Sequence, residues 1–391
     1  MIVLRGAAVL PDRLEPDAVL TVHGERITGL ASARDARPEV LAAARPVGTM
    51  LPGLVDLHCH GGHGRSFPDG DAAGACHAIA AHRRHGTTAL LASLVTAPVP
   101  DLHRALRALA PLVGTGGLLG VHLEGPYLST ARCGAQDPTA MRDPDPAITE
   151  SLLAAAPVAA MTYAPERPGS AELATQLVVG GAVPAVGHTE ASPEVTRAAL
   201  GSAAELRGAP VLVTHLFNGM PAWQSRDPGP VAACLAAAAR GEAVLELIAD
   251  GVHLADHTVR AVVELVGPGQ VALVTDAMAA AGMPDGAYRL GALGVTVVGG
   301  VARTAGGSLA GGTNHLLDTV RHCVRYAGLG LVDAVRCASL TPARLLGLDG
   351  DRGRLCVGAR ADVVCVDDEL RPTAVLADGE WLPPAAAPVP G

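Results

Sequence analysis

The 391-residue sequence predicts an α/β protein: a (β/α)8 TIM-like barrel with a small β-sandwich domain assembled from both chain ends. Three observations lead to this class. Through the middle of the chain, short apolar runs alternate with alanine-rich stretches of helical character, as buried parallel strands covered by helices require. Both ends break instead into short strand-like runs between turns, with weak helical periodicity. The length exceeds what most single compact domains hold, so a large domain with a smaller companion is expected, 51–349 for the barrel and 1–50 plus 350–391 for the β domain. Composition agrees: 49% of the residues are hydrophobic but only 2% are aromatic, so Ala, Val, Leu and Gly must fill the core.

Taken in order, "MIVLRGAAVL", "AVLTVHGERITGL" and "RPVGTMLPGLVDLH" supply the first end strands. Eight barrel strands are expected at 54–60, 88–95, 119–124, 158–166, 182–189, 210–217, 244–251 and 271–278. Helices are expected between them over 71–85, 100–110, 171–181, 193–201 and 254–266. "GRLCVGARADVVCVDD" and "PTAVLADGEWL" return to the end domain, and "PPAAAPVPG" reads as a loose tail.

The formal net charge is −9, with no Lys/Arg run and no aromatic ladder, which disfavours nucleic acid and membrane surfaces as partners. An anion would have to be held locally, by a few Arg, His or backbone N–H groups. The eight cysteines (59, 76, 133, 234, 323, 337, 356, 365) form no CxxC pair and read as reduced thiols of a cytoplasmic protein. The N-terminus has one Arg before an interrupted apolar run, so neither a secretory signal nor a membrane anchor is expected there.

Chemistry in such a barrel sits at the C-terminal ends of the strands, so the polar residues closing each run carry information. The first run closes in His58 and His60, which share a face because side chains alternate with period two. The third closes in Glu124, with His122 before it, the fifth in His188 and the sixth in His215. The seventh closes in Asp250, with His253 just beyond, and the eighth in Asp276. A single His after a strand is more often a hydrogen-bonded loop residue than a ligand. The set is different, because imidazoles and carboxylates converging on one mouth would repel or lie unsatisfied without a cation. Metal binding by at least Glu124, His188 and His215 follows.

The motifs "LPGLVDLHCHGG", "VHLEGPYLSTARCGAQDP", "YAPE", "VGHTEA", "VTHLFNGMP", "ADGVHL", "VTDAMAAAGMPDG", "SLAGGT" and "LCVGARADVVCVD" appear in this order between about residues 48 and 367. Together they resemble the amidohydrolase superfamily and, within it, the N-acetylglucosamine 6-phosphate deacetylases. The resemblance implies a hydrolase of amino-sugar metabolism that releases acetate and glucosamine 6-phosphate. It implies Glu124, His188 and His215 as core metal ligands, with His58, His60 and a bridging Glu124 for a second ion. The cofactor would be Zn²⁺ first, with Fe²⁺ or another divalent ion as alternatives, one or two per subunit. Asp276 matches the catalytic aspartate, assisted by His253. Ala135, Gln136, Asn218, Gly219, Arg226, His253, Leu309, Ala310 and Gly311 match positions that contact substrate. Arg226 would reach the neighbouring active site of a homodimer and bind the phosphate.

Two positions depart from the pattern. Gln136 stands where some members have His, and Gly219 where some have Ala, a change expected to matter little because the backbone makes the contact. The alternatives are a deacetylase of N-acetylgalactosamine 6-phosphate or of another N-acyl substrate and, of a different kind, a non-catalytic metal-binding barrel. The sequence contains no Lys, which argues against the hydrolases that use a carbamylated lysine. His122 reads as a supporting residue, His63 and Cys133 as loop residues. His23, His77, His82, His85, His103, His257, His315 and His322 lie in helical or surface contexts and are assigned no function.

Overall fold

The computed structural model describes residues 1–384. The expected tail begins just inside this limit, and its residues from 385 onward lie outside the described residues. Eight parallel strands form the central sheet: β1 (Leu54–Cys59), β2 (Thr87–Val95), β3 (Leu118–Glu124), β4 (Val158–Tyr163), β5 (Val183–Val186), β6 (Val211–Val213), β7 (Ala243–Leu247) and β8 (Val271–Leu273). Each pairs with its sequence neighbours. The ring closes just past β8, where Asp276 N donates to His58 O at 2.9 Å and His60 N donates to Ala277 O at 2.7 Å. Every residue of β1 and β2 is buried. Burial on both faces explains why these strands read as unbroken apolar runs rather than alternating ones.

The helices covering the sheet start where their sequences say they should. Asp71 caps α1 (Ala72–Arg84) by accepting from Ala73 N, and α2 (Val99–Leu109) follows β2 with a Pro in its first turn. Asp145 caps α3 (Pro146–Ala155) through the N–H groups of Ala147 and Ile148, again with Pro leading. α4 (Ser170–Val179) follows, then α5 (Pro193–Arg207) between its Ser192 cap and Gly208, whose φ of 64° ends the helix. α6 (Gly229–Ala239), α7 (Asp256–Val266) and α8 (Leu316–His322) continue the outer layer, and two short helices, Leu331–Ala338 and Leu340–Leu345, close it against β1 and β8. α3, α6 and α8 have no counterpart among the expected helices. α6 has the sequence GPVAACLAAAA and is buried over most of its surface, so it carries no polar stripe to betray a helical period.

A three-stranded antiparallel sheet, unexpected from sequence, is inserted after β8: Gly286–Leu290, Leu293–Val298 and Val301–Thr304. Its alternate residues pack on Val95, Met278 and Ala280, at the mouth of the barrel. The chain ends share one eight-stranded sheet in which Thr49–Pro52 lies between Ile2–Val9 and Val363–Val366. That sheet curls back on itself, for Ile27 N donates to Ala359 O and Gly358 N to Ile27 O, both at 2.9 Å. Leu4, Leu20, Ile27, Met50, Val363 and Leu376 fill its interior. No helix among the described residues is long and apolar enough to cross a membrane.

Candidate metal centre and active site

Each candidate side chain leaves the barrel at or just beyond the C-terminal end of a strand. His58 and His60 project from β1 and Glu124 ends β3. His188, His215 and Asp276 follow β5, β6 and β8 in tight turns, with φ of 46°, 25° and 48°. Non-glycine residues pay about 1–3 kcal/mol for such conformations, and surrounding structure must enforce them. Gly219 is one part of that surround. A Cβ there would lie 2.7 Å from His188 Nδ1, so this glycine makes room for the ring. The expectation that alanine would change little at this position is therefore corrected: the missing side chain matters as well as the backbone.

Glu124 is the hub. Its Oε1 lies 2.9 Å from Nε2 of both His188 and His215. Its Oε2 faces Nε2 of His60 at 3.2 Å and of His58 at 3.6 Å. Asp276 Oδ1 lies on the latter side, 3.1 Å from His60 Nε2 and 3.5 Å from His58 Nε2. One carboxylate thus divides four imidazoles into two pairs, the arrangement a bridging ligand needs.

The outer nitrogens explain how the rings are aimed. Nδ1 of His58 meets Glu246 Oε2 at 3.0 Å, Nδ1 of His60 meets Ser93 O at 3.1 Å, and Nδ1 of His188 meets Arg132 O at 2.7 Å. Carboxylate and carbonyl oxygens only accept, so each Nδ1 donates and each Nε2 turns its lone pair inward. Nε2 of His58 and Nε2 of His60 are only 3.1 Å apart. Lone pairs and carboxylates packed this closely repel unless positive charge lies among them. The titration of the groups states the same demand. Burial opposes charge on His60, yet the hydrogen bonds and charges of Asp276 and Glu124 raise it to about 9. Burial likewise opposes ionisation of Asp276, yet His58 and His60 hold it down to about 2. Glu124 lies well below the usual carboxylate range, where burial is outweighed by His58, His188 and His215. A divalent cation meets this demand, and the donors are those that suit Zn²⁺ or Fe²⁺.

Behind these ligands stands a second layer: Glu246 and Asp56, to which the sequence did not point, and His122, expected as a supporting residue. Glu246, fully buried on β7, holds His58 and also accepts from His215 N at 3.1 Å. Asp56 is fully buried too and accepts from Thr275 Oγ1 at 2.6 Å, while burial raises its pKa to about 7. His122 packs edge-on against His58, with its nitrogens 3.1 Å from Ser93 Oγ and 2.7 Å from Thr162 Oγ1.

A cavity of about 290 Å³ opens over the cluster, lined by Ala135, Gln136, Asn218, Gly219, His253, Leu309 and Gly311 among others. Gln136 points at the cluster as well, donating to Glu124 Oε2 at 2.5 Å and accepting from Thr96 N at 2.7 Å. His253 Nδ1 lies 2.8 Å from Asp250 Oδ2. Burial opposes its charge, but Asp250 outweighs this and raises its pKa. Ala310 does not line the cavity; it is buried, with its N–H bonded to Ala302 O at 3.1 Å. Arg226 lies outside the cavity wall, on the exposed loop that also carries Trp223.

A parallel barrel whose mouth gathers four imidazoles around a shared carboxylate, with an aspartate beside them, defines a metal-dependent hydrolase. The chain belongs to the amidohydrolase family, with a match over residues 49–384. It is 36% identical to the N-acetylgalactosamine-6-phosphate deacetylase of Escherichia coli O157:H7, over 94% of this chain and 96% of that protein. It is 33% identical to the N-acetylglucosamine-6-phosphate deacetylase of Bos taurus, over 97% of this chain and 93% of that one. Among solved structures it resembles N-acetyl-D-glucosamine-6-phosphate deacetylase from Mycobacterium smegmatis, with a TM-score of 0.90 and 42% identity over 98% of this chain and 100% of that one.

Proposed function

We propose that this protein hydrolyses the acetamide of N-acetylglucosamine 6-phosphate, releasing acetate and glucosamine 6-phosphate. The observation that carries the reading is the division of four histidines between the two oxygens of Glu124, with Asp276 alongside, on the floor of a cavity open to solvent. The relatives bearing this activity in their names support the choice of substrate. The Escherichia coli relative keeps the galacto epimer as a second reading.

Glu124, His188 and His215 would hold the first divalent cation, and His58 and His60 would share Glu124 with a second. Zn²⁺ suits these donors first and Fe²⁺ next. Such a cation supplies Lewis acidity, polarising the acetyl carbonyl and making water acidic enough to furnish hydroxide near neutral pH. Asp276, kept ionised by its neighbours, takes the proton from the attacking water and returns it to the departing nitrogen. That return is required because an amide anion is a very poor leaving group. His253 spends Nδ1 on Asp250 and keeps Nε2 for the cavity, where its raised pKa suits it to donate to the developing oxyanion.

No arginine is among the described residues lining the cavity, and the chain has no lysine, so an arginine for the phosphate would come from outside this cavity. Exposed Arg226 beside exposed Trp223 supports a homodimer in which this loop reaches the neighbouring site. All eight cysteines are free of disulfides, which supports placement in the reducing cytoplasm. The test is acetate release from N-acetylglucosamine 6-phosphate beside its galacto epimer, with metal content measured on the same sample. Metal-loaded protein that frees acetate from neither sugar would end the reading. Faster release from the galacto sugar would transfer it to the epimer.

A further inference from the structure

Four histidines that the sequence scatters among loop, helix and surface contexts meet on the flank of the barrel. His63 lies between the short strands Gly61–Gly62 and Arg65–Ser66, His82 and His85 lie at the end of α1, and His315 precedes α8. His85 and His315 stack with centroids 3.7 Å apart. His63 and His82 pack against His315 at 5.3 Å and 5.1 Å. This cluster belongs neither to the cavity at the mouth nor to the chemistry proposed there.

Hydrogen bonds to carbonyls fix the bare nitrogens of His82 and His85. His82 Nε2 lies 2.9 Å from Gly61 O, so Nε2 carries the proton and Nδ1 the lone pair. That lone pair faces His315 Nδ1 at 3.4 Å, beyond a good hydrogen bond, so His315 is free to carry its proton on Nδ1 and present a bare Nε2. His85 donates from Nδ1 to Ala81 O at 2.9 Å, leaving its own Nε2 bare. His315 Nε2 then faces His63 Nε2 at 3.4 Å, beyond a good hydrogen bond but close to the roughly 3.3 Å that separates nitrogens on a tetrahedral Zn²⁺. The ligand atoms of His63, His85 and His315 all lie within 4.8 Å of one another.

The space in front of these nitrogens is kept open by Gly282. At a φ of 73°, its absent Cβ would sit 2.5 Å from His63 Nε2 and 3.1 Å from His315 Nε2. Burial also favours the neutral, ligating form: it lowers His63 to about 4 and holds His315 well below the usual histidine range, and the neighbouring rings add to both effects.

We propose that His63, His85 and His315 form a metal site on the barrel flank, separate from the mouth, for a borderline divalent transition ion such as Zn²⁺, Co²⁺ or Cu²⁺. His82 packs edge-on against His315. An all-imidazole donor set disfavours Mg²⁺ and Ca²⁺, which take oxygen ligands. The rings of His85 and His315 lie 11° from parallel, so binding opens this stack, and half-exposed His85 is the ring with room to turn. The ion would tie the end of α1 and the approach to α8 to the loop that follows His58 and His60. Its role is to brace that segment rather than to take part in the reaction.

Crystals of the full chain soaked in Co²⁺ test this directly. Anomalous density among His63, His85 and His315, in addition to the mouth, is expected. Density at the mouth alone overturns the proposal. In solution, His85→Gln and His63→Asn should each bind one Co²⁺ per chain fewer than the unsubstituted protein after equilibrium dialysis, while keeping the ions at the mouth. An unchanged count in both folded variants also overturns it. Because the two sites are read separately, failure here leaves the reading of the mouth standing, and failure of acetate release leaves this site standing.

Discussion

Replacing Glu246 with glutamine tests whether the second layer aims the metal ligands. Glu246 Oε2 accepts from His58 Nδ1 at 3.0 Å and from His215 N at 3.1 Å, while Oε1 has no partner. In Glu246→Gln the amide oxygen can take the place of Oε2 and keep both bonds, now without charge. A bond to a charged group is worth about 1 kcal/mol more than a neutral one, so two of them cost the folded state about 2 kcal/mol. The new NH2 takes the place of an oxygen already unpartnered, so it adds little. The larger effect falls on the metal: loss of an outer partner of a ligating histidine weakens metal affinity about 10–100-fold. The assay is competition with a chelator for Zn²⁺, alongside urea unfolding of the metal-free protein. Glu242→Gln, which breaks a half-exposed ion pair with Arg240, is the control and should change neither. If Glu246→Gln matches the control in both measurements, Glu246 does not orient the ligands and the argument from Nδ1 partners fails.

Three further outcomes follow from the site. Asp276→Asn should keep its fold and bound metal but lose at least about 10³-fold in kcat, because it removes the group that moves the proton; turnover near the unsubstituted level would remove this aspartate from the mechanism. Arg226→Ala should raise KM for the phosphorylated sugar far more than for N-acetylglucosamine, and equal effects would argue for an ordinary surface arginine. For His253 the sign follows from its raised pKa. The His253–Asp250 pair contributes its full stability below the histidine's unfolded pKa and loses it as pH rises through the folded value. The donor form of His253 is lost in the same upper range, so kcat should fall on the alkaline side. Asp250→Asn removes the group that raises this pKa and should move that fall to lower pH, whereas an unmoved alkaline limb in the pH–rate profile would exclude His253 as the donor.

The barrel and most of its mouth were legible in the sequence because both are written locally. Strands buried on two faces leave continuous apolar runs, and a residue at the end of such a run points into the mouth whatever its partner proves to be. His58, His60, Glu124, His188, His215 and Asp276 all stand at such places. Glu246 left a fainter trace, a carboxylate inside the run VLELIAD, one residue short of the strand's end rather than at it. Helix α6 and the inserted three-stranded sheet left less, the first because it is apolar all round and the second because its strands are short and half exposed.

What the residue order determined alone was the alternation that makes a barrel and the chemical character of its rim. Which histidine nitrogen faces inward, how Glu124 divides four rings between two oxygens, and why Gly219 must lack a side chain were decided only by tertiary structure. So was the meeting of His63 and His315, 252 positions apart. The physical reason is that alternation along a strand is a property of neighbours in the chain. Lone-pair direction and ligand spacing depend instead on the closure of the sheet, which brings together atoms with no local record of one another.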